Sequence, residues 1–300
     1  MPELPDLIYI ERQLAPKLVG SVVKEVRVGD PTPLRMMIPG DIRPLLQGRR
    51  LQSIKRRGHF IRFGFDQEVV IVINAMLAGR YVLEPAEGKK HGGGRKPDPK
   101  AMVLALAFEQ GEELRYLDSK LMGKVYVVSE SGEAQIPAYN ALGVDVMSDA
   151  FKWPVFQKLA KKRRDQVRNF LMDKTALASI GNAYADEILF DSGLHPKTFC
   201  YQLDDAQRER LFHSVSRVLR HAVDHIAQVE PDVSDKVRDF LSVRGRSGEP
   251  CLRCGTTVRS VRVGVADADF CPTCQPAKRA LFIDWGHKPA EAGNKDDKDS

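Results

Sequence analysis

The spacing of apolar positions changes twice along the chain. Residues 4 to 15 carry Leu7, Ile10 and Leu14 at helical spacing, with Pro5 suited to the first turn and Pro16 ending the run. From there to about residue 130 the pattern predicts strands in SVVKEVRV, LQSIKRRGHFIRFGF, EVVIVINAML, AMVLALAF, EELRYLD and KVYVV. This part reads as a β-sandwich or barrel with an N-terminal helix. Residues 86 to 100, AEGKKHGGGRKPDPK, have the composition of a long loop. From 150 to 241 the helical period returns in FQKLAKK, RDQVRNFLMD, IGNAYADEILFDSG, DDAQRERLFHSVSRVLRHAVDHI and VSDKVRDFL, which predicts a separate helical domain. The connector VRGRSGEP leads into a cysteine cluster, and the pattern fades after Trp285. The expected α+β organisation is a sheet domain at 1–130, a linker at 131–149, a helical domain at 150–246, a cysteine-bearing module at 247–285 and a disordered tail at 286–300.

Composition narrows the class. Three hundred residues, 43% of them hydrophobic, suffice for two or three cored units. No apolar run approaches the ~20 residues of a membrane span, and the start lacks the features of a signal peptide, so a cytoplasmic protein is expected. The net charge of +6 and pI of about 9.0 understate the basic surface, because the terminal AEAGNKDDKDS is polar and partly acidic. A polyanionic partner fits that balance.

Four of the five cysteines form Cys251-x2-Cys254 and Cys271-x2-Cys274. Paired knuckles of this kind wrap four thiolates around one zinc, and four thiolates leave no open coordination position, so the ion is structural. Cys200 stands apart and reads as a small buried hydrophobe.

The first residues, MPELPD, hold the other chemistry. Removal of Met1 leaves Pro2 with a free secondary amine, whose pKa near ~8 keeps a neutral fraction able to attack an electrophilic carbon. Glu3 beside it is suited to move protons. The plain alternative is a helix start whose Glu3 and Asp6 complement the helix dipole.

PELPD at the N-terminus, KRRGHFIRF and the Met76 strand in the sheet domain, IGNAYADEILF in the helical domain, and the ribbon from CLRCG to FCPTCQ follow the order of one family. The sequence resembles the bifunctional DNA glycosylases of the formamidopyrimidine-DNA glycosylase and endonuclease VIII group over roughly residues 2 to 276. The resemblance implies an N-terminal β-sandwich, a helix–two-turn–helix domain at 150–246 and a zinc ribbon. It implies a monomer acting in base excision repair on double-stranded DNA with damaged bases or abasic sites, and a nucleoid-associated bacterial setting. Pro2 looks like the nucleophile, Glu3 its acid/base partner, and His59 stands at a third catalytic position. Asn182 matches a phosphate-holding asparagine, and Met76 the residue that fills the gap left by an extruded base. Lys174 joins these as a DNA-contacting candidate.

The departures from the family pattern change the expectation. A lysine is usual where this chain has His59, so a permanent charge becomes a titratable one, expected to bind better when protonated. DSKLMG replaces DPRRFG, putting Leu121 and Met122 where an arginine and a phenylalanine read the DNA. Ala266 replaces the finger arginine, with Asp267 and Asp269 beside it expected to repel phosphate. Arg244, Arg246, Arg259 and Arg262 are the substitutes for that lost contact. The short connection after DHIAQVEPD leaves little room for a lesion-capping loop, which favours oxidised pyrimidines, ring-opened purines or abasic sites. A member that binds such DNA without efficient chemistry is the alternative.

Overall fold

The computed structural model describes residues 2–85 and 101–277. The expected loop at 86–100, the tail and the end of the cysteine-bearing module lie outside the described residues.

Helix α1 (Leu4–Leu18) is divided between two cores. Leu7, Leu14 and Leu18 pack into the sheet core, whereas Leu4 and Ile8 pack into the helical one. Pro16 does not end this helix but lies within its last turn. Both Pro16 and Arg12, whose carbonyl loses a partner, face solvent, and buried Leu18 holds the turn in place.

Two sheets form the sandwich. One has the order β1 (Val23–Val28), β7 (Met102–Phe108), β8 (Glu112–Asp118), β6 (Gly79–Pro85). The other runs β2 (Leu34–Met36), β9 (Lys124–Ser129), β5 (Val69–Asn74), β4 (Phe60–Phe65), β3 (Leu51–Arg57), and within it only β2 on β9 is parallel. Phe63, Ile71, Tyr81, Leu104 and Tyr116 fill the space between the sheets. Central strand β5 is buried on both faces, because Ile136 and Tyr139 cover Val70 and Val72 from outside. Its continuous apolar run therefore follows from its position.

Three strand expectations change. LQSIKRRGHFIRFGF is a hairpin, folded at Gly58 and His59, with Gly58 at φ +58° in the first loop position. The Met76 strand ends at Asn74, and Met76 lies in the following turn at φ +43°. Strand β6 had no counterpart in the expected set; its alternation is interrupted by Glu84 and Pro85.

After short helix α2 (Ile42–Leu46), which belongs to the sheet core, helices α3 (Trp153–Lys161), α4 (Val167–Met172), α5 (Asn182–Ser192) and α6 (Asp205–Val229) enclose Phe156, Phe170, Leu189 and Leu219. Strand β10 (Val144–Asp145) pairs in parallel with β11 (Leu177–Ala178). VSDKVRDFL is not helical, contrary to its periodicity. Val233 packs toward the sheet core and Leu241 into the helical core, while Arg238 reaches Asp6, so tertiary contacts draw the segment out across both units. The cysteine-bearing module holds the hairpin of β12 (Arg259–Val263) and β13 (Ala266–Phe270). No helix among the described residues is long and apolar enough to cross a membrane.

Candidate active site

The shared helix α1 carries the chain's start into the seam between the cores. Pro2 and Glu3 are both buried there. The Glu3 amide donates to Asp6 Oδ2 at 2.7 Å, and Arg238 grips both Asp6 oxygens at 2.9 and 2.6 Å, so the backbone bearing Pro2 is fixed from two sides. The Glu3 side chain turns to another helix altogether. Its oxygens accept from the amides of Ala183 at 3.2 Å and Tyr184 at 3.4 Å, at the positive end of α5. Burial pushes its pKa above the usual carboxylate range, opposed by these amides and by Arg238. The carboxylate is admitted by Gly181, where a Cβ would lie 2.3 Å from Glu3 Cδ.

His59 stands at the hairpin tip. The tip abuts the helical unit, since a Cβ on Gly58 would meet Leu142 at 2.6 Å and Ser179 Oγ at 3.3 Å. The imidazole is largely buried, its Nδ1 lacks a hydrogen-bond partner, and desolvation, aided by Lys174, pushes its pKa down to about 4. The protonated form, expected to bind better, is therefore disfavoured here at neutral pH. Arg56 is bound to Asp145 at 2.6 Å, and Arg57 lies over the Tyr139 ring at 4.6 Å. Ser179 holds φ +81° with a buried hydroxyl lacking a partner, a strained feature beside the centre.

Asn182 is the first residue of α5, whose cap is Gly181, and its Oδ1 accepts from Arg168 Nη2 at 2.9 Å. Arg168 also bonds Asp186 at 2.7 Å and the Asp267 carbonyl at 3.1 Å. Two loops at one end of the sandwich carry Met76, half-buried, and Met122, 40% exposed. Leu121 instead packs partly against the sheet core at φ +53°. Buried Asp118 shapes its loop by accepting from the amides of Lys120 at 3.0 Å and Gly123 at 2.6 Å. Leu77, 52% exposed, adds an apolar side chain that the sequence pattern did not distinguish from its strand neighbours.

The ribbon arginines divide. Arg244 is committed to Asp186 and the Asp267 carbonyl, each at 2.8 Å, and Arg246 to Glu249 at 2.8 Å. Arg259 is exposed, and Arg262 faces Asp267 across the hairpin at 3.4 Å. Ala266 lies opposite Val263. Asp269 does not project toward a ligand as expected, because it is buried and accepts from the Gly245 amide at 2.8 Å and from the Ser260 hydroxyl. Asp186 and Glu187 were also unassigned in the sequence. Glu187 accepts three amides, from Ser242, Val243 and Arg244 at 2.8 to 2.9 Å, which locks the ribbon's approach to α5.

Cys251, Cys254, Cys271 and Cys274 place their sulfurs within 4.8 Å of one another. Four thiolates around zinc stand about 3.8 Å apart, given Zn–S bonds of ~2.3 Å. The donor set therefore fits one structural Zn²⁺. Amides of Arg253 and Cys274 point at Cys251 and Cys271 sulfurs at 3.4 and 3.5 Å, and Thr256 draws the Cys254 thiol down to about 6. Cys200 is buried and its thiol is pushed up to about 12 by burial.

Known proteins share this arrangement. Residues 1–125 match the formamidopyrimidine-DNA glycosylase N-terminal domain, residues 142–230 the H2TH domain of the same enzymes, and residues 248–277 a zinc finger found in FPG and IleRS. A formamidopyrimidine-DNA glycosylase of Symbiobacterium thermophilum is 30% identical, over 98% of this chain and 96% of its own. That of Methylococcus capsulatus is 31% identical, over 92% and 100%. The Lactococcus lactis enzyme solved with abasic-site DNA superposes with a TM-score of 0.80 at 23% identity, covering 92% of this chain and 100% of that one.

Proposed function

The chain belongs to the formamidopyrimidine-DNA glycosylase family, and from that premise we propose that it is a base-excision-repair glycosylase and abasic-site lyase acting through Pro2. With Met1 removed, the Pro2 amine attacks C1′ of an extruded deoxynucleotide. The glycosidic bond breaks and the base leaves with a proton. The sugar ring opens to an iminium ion, elimination of the flanking phosphate cleaves the strand, and water releases the enzyme. Glu3 moves protons at the ring oxygen and the eliminating carbons. Asn182, at a helix start, binds phosphate, and Met76 with Met122 fills the vacated stack.

One observation carries this reading: the carboxylate next to Pro2 is held by the same helix N-terminus that presents Asn182. Nucleophile, proton carrier and phosphate holder meet where two cores join. The favoured substrates are oxidised pyrimidines, ring-opened purines and abasic sites, because Leu121 lacks the hydrogen-bond donors of an arginine and residues 231–241 are short and tied to Asp6. The proposed setting is the bacterial cytoplasm, on the nucleoid.

Borohydride trapping on DNA carrying a series of lesions tests it. A covalent adduct mapped to Pro2 is expected; an adduct on a lysine with Pro2 free would refute the assignment. The uncharged His59 supports a second reading, a binder of damaged DNA with weak turnover, which predicts tight binding without an adduct.

A further inference from the structure

We propose that His221, His225 and Asp239 form a metal site separate from the ribbon, suited to a borderline divalent ion such as Zn²⁺ or Ni²⁺. The two histidines stand one turn apart on α6. Ala222, Val223 and Ile226 turn the opposite face of the helix inward, away from solvent, which leaves both imidazoles along one outward edge. Their ring centres are 6.1 Å apart and their planes 28° from parallel. Two imidazoles bound to one ion through bonds of ~2.1 Å hold their ring centres about 5–6.5 Å apart. The pair therefore already has the separation that a shared ion needs.

The third donor comes from the 231–241 segment. Asp239 Oδ1 lies 3.2 Å from His225 Nε2. Neighbouring ligands on one ion, at bonds of ~2.1 Å, stand about 3.0–3.4 Å apart, so this contact has ligand-to-ligand spacing as well as hydrogen-bond length. Among the described residues His225 is the only basic group within ion-pair distance of the exposed Asp239 carboxylate, and the ring nitrogens of His221 have no hydrogen bond. Phe240 supplies the floor, with its ring 5.8 Å from that of His221 and 4.7 Å from that of His225, and it packs in turn against the helical core. Such an aromatic wall orients the imidazoles and keeps water from that side. Rotation of the exposed Asp239 and His221 side chains brings the three donors onto one ion, and water completes its coordination. Two imidazole nitrogens and one carboxylate oxygen favour Zn²⁺, Ni²⁺ or Cu²⁺ over Mg²⁺ or Ca²⁺. The ion links α6 to the segment whose Arg238 grips Asp6.

The test is calorimetric titration of Ni²⁺ into untagged full-length protein carrying its ribbon zinc, with melting curves and zinc analysis, for wild type, His221→Gln, His225→Gln and Asp239→Asn. Wild type should take up a single Ni²⁺ and melt at a higher temperature with it, because the ion binds the folded state. Each histidine variant should bind about tenfold or more weakly and lose the nickel-induced rise in melting temperature, while Asp239→Asn, which keeps an oxygen, should lie between. His221→Gln should melt like wild type without nickel, since its ring is exposed, and it decides the matter if His225→Gln folds poorly. No uptake by wild type overturns the proposal. So does uptake unchanged in His221→Gln, which removes the shared ion, and so does uptake matched by an equal release of zinc, which puts the nickel in the ribbon.

Discussion

Arg168 Nε donates to Asp186 Oδ1 at 2.7 Å with both side chains sealed from solvent, 1% and 0% exposed. This pair joins α4 to α5, and its spare atoms extend the junction: Arg168 holds Asn182, while Asp186 takes Arg244 and the amide of Asp269 in the ribbon. The side chain proposed to hold phosphate and the zinc module are thus fixed by one buried ion pair. Removing one partner strands a charge, so Asp186→Ala should cost about 3–5 kcal/mol by denaturant titration. The double variant Arg168→Met/Asp186→Leu should be more stable than Asp186→Ala yet still bind DNA weakly, because Asn182 has lost its anchor. Comparing the three unfolding curves and affinities checks both halves.

Zinc removal should propagate in the reverse direction. One Zn²⁺ per chain is expected, and chelation or Cys254→Ala should unfold residues 248–277, since binding energy in such ribbons is folding energy. The helical core should persist, because it is built from α3 to α6 without the cysteines. Its amides near α5 should nevertheless exchange faster, as Asp186 loses the amide of Asp269. Hydrogen exchange with metal analysis reads both effects.

The zinc ligands were legible because knuckle spacing is local, and the PELPD and GNAYADE stretches were legible as motifs. The partners of Glu3 were not: Ala183 and Tyr184 lie 180 and 181 residues away, and a burial pattern does not reveal which helix receives a carboxylate. VSDKVRDFL misled because apolar residues bound for two different cores mimic the period of one helix face. Met76 misled for a simpler reason, that an apolar turn residue continues the strand's pattern while its φ of +43° ends the strand.

Acid should weaken the fold through His59. Its folded pKa lies near 4, below the ordinary 6.5, so the unfolded chain takes up a proton that the folded one refuses. Stability is therefore unaffected above about pH 7, falls as pH drops below 6.5, and levels off below 4, a total of about 3 kcal/mol. His59→Gln should remove that share of the acid sensitivity, seen as a flatter plot of unfolding free energy against pH. The same variant should leave the DNA-affinity profile from pH 6 to 8.5 unchanged in shape, because no titrating imidazole is lost there.

Gly181→Ala isolates the seat of Glu3. Gly181 has φ −102°, a conformation any residue adopts, so alanine brings no backbone strain. Its Cβ would lie 2.3 Å from Glu3 Cδ and 2.4 Å from Oε2, and something must move. Helix α5 cannot yield readily, since Ile188 and Leu189 anchor it in the core, Asp186 ties it to the ribbon and Glu187 to the segment leading there. The Glu3 side chain yields instead and gives up the amides of Ala183 and Tyr184. Stability should fall by only about 1–2 kcal/mol, the range for losing hydrogen bonds to a charged group. Activity should fall further, by about a hundredfold, because Glu3, in its proposed role of proton carrier, no longer reaches the sugar. Affinity for abasic DNA should hold, as Asn182 and its Arg168 anchor are undisturbed. Single-turnover rates, melting curves and equilibrium binding of Gly181→Ala beside Glu3→Gln distinguish this from general damage: the two variants should be similarly slow and similarly tight, whereas a Gly181→Ala protein as fast as wild type would mean that Glu3 works from another position.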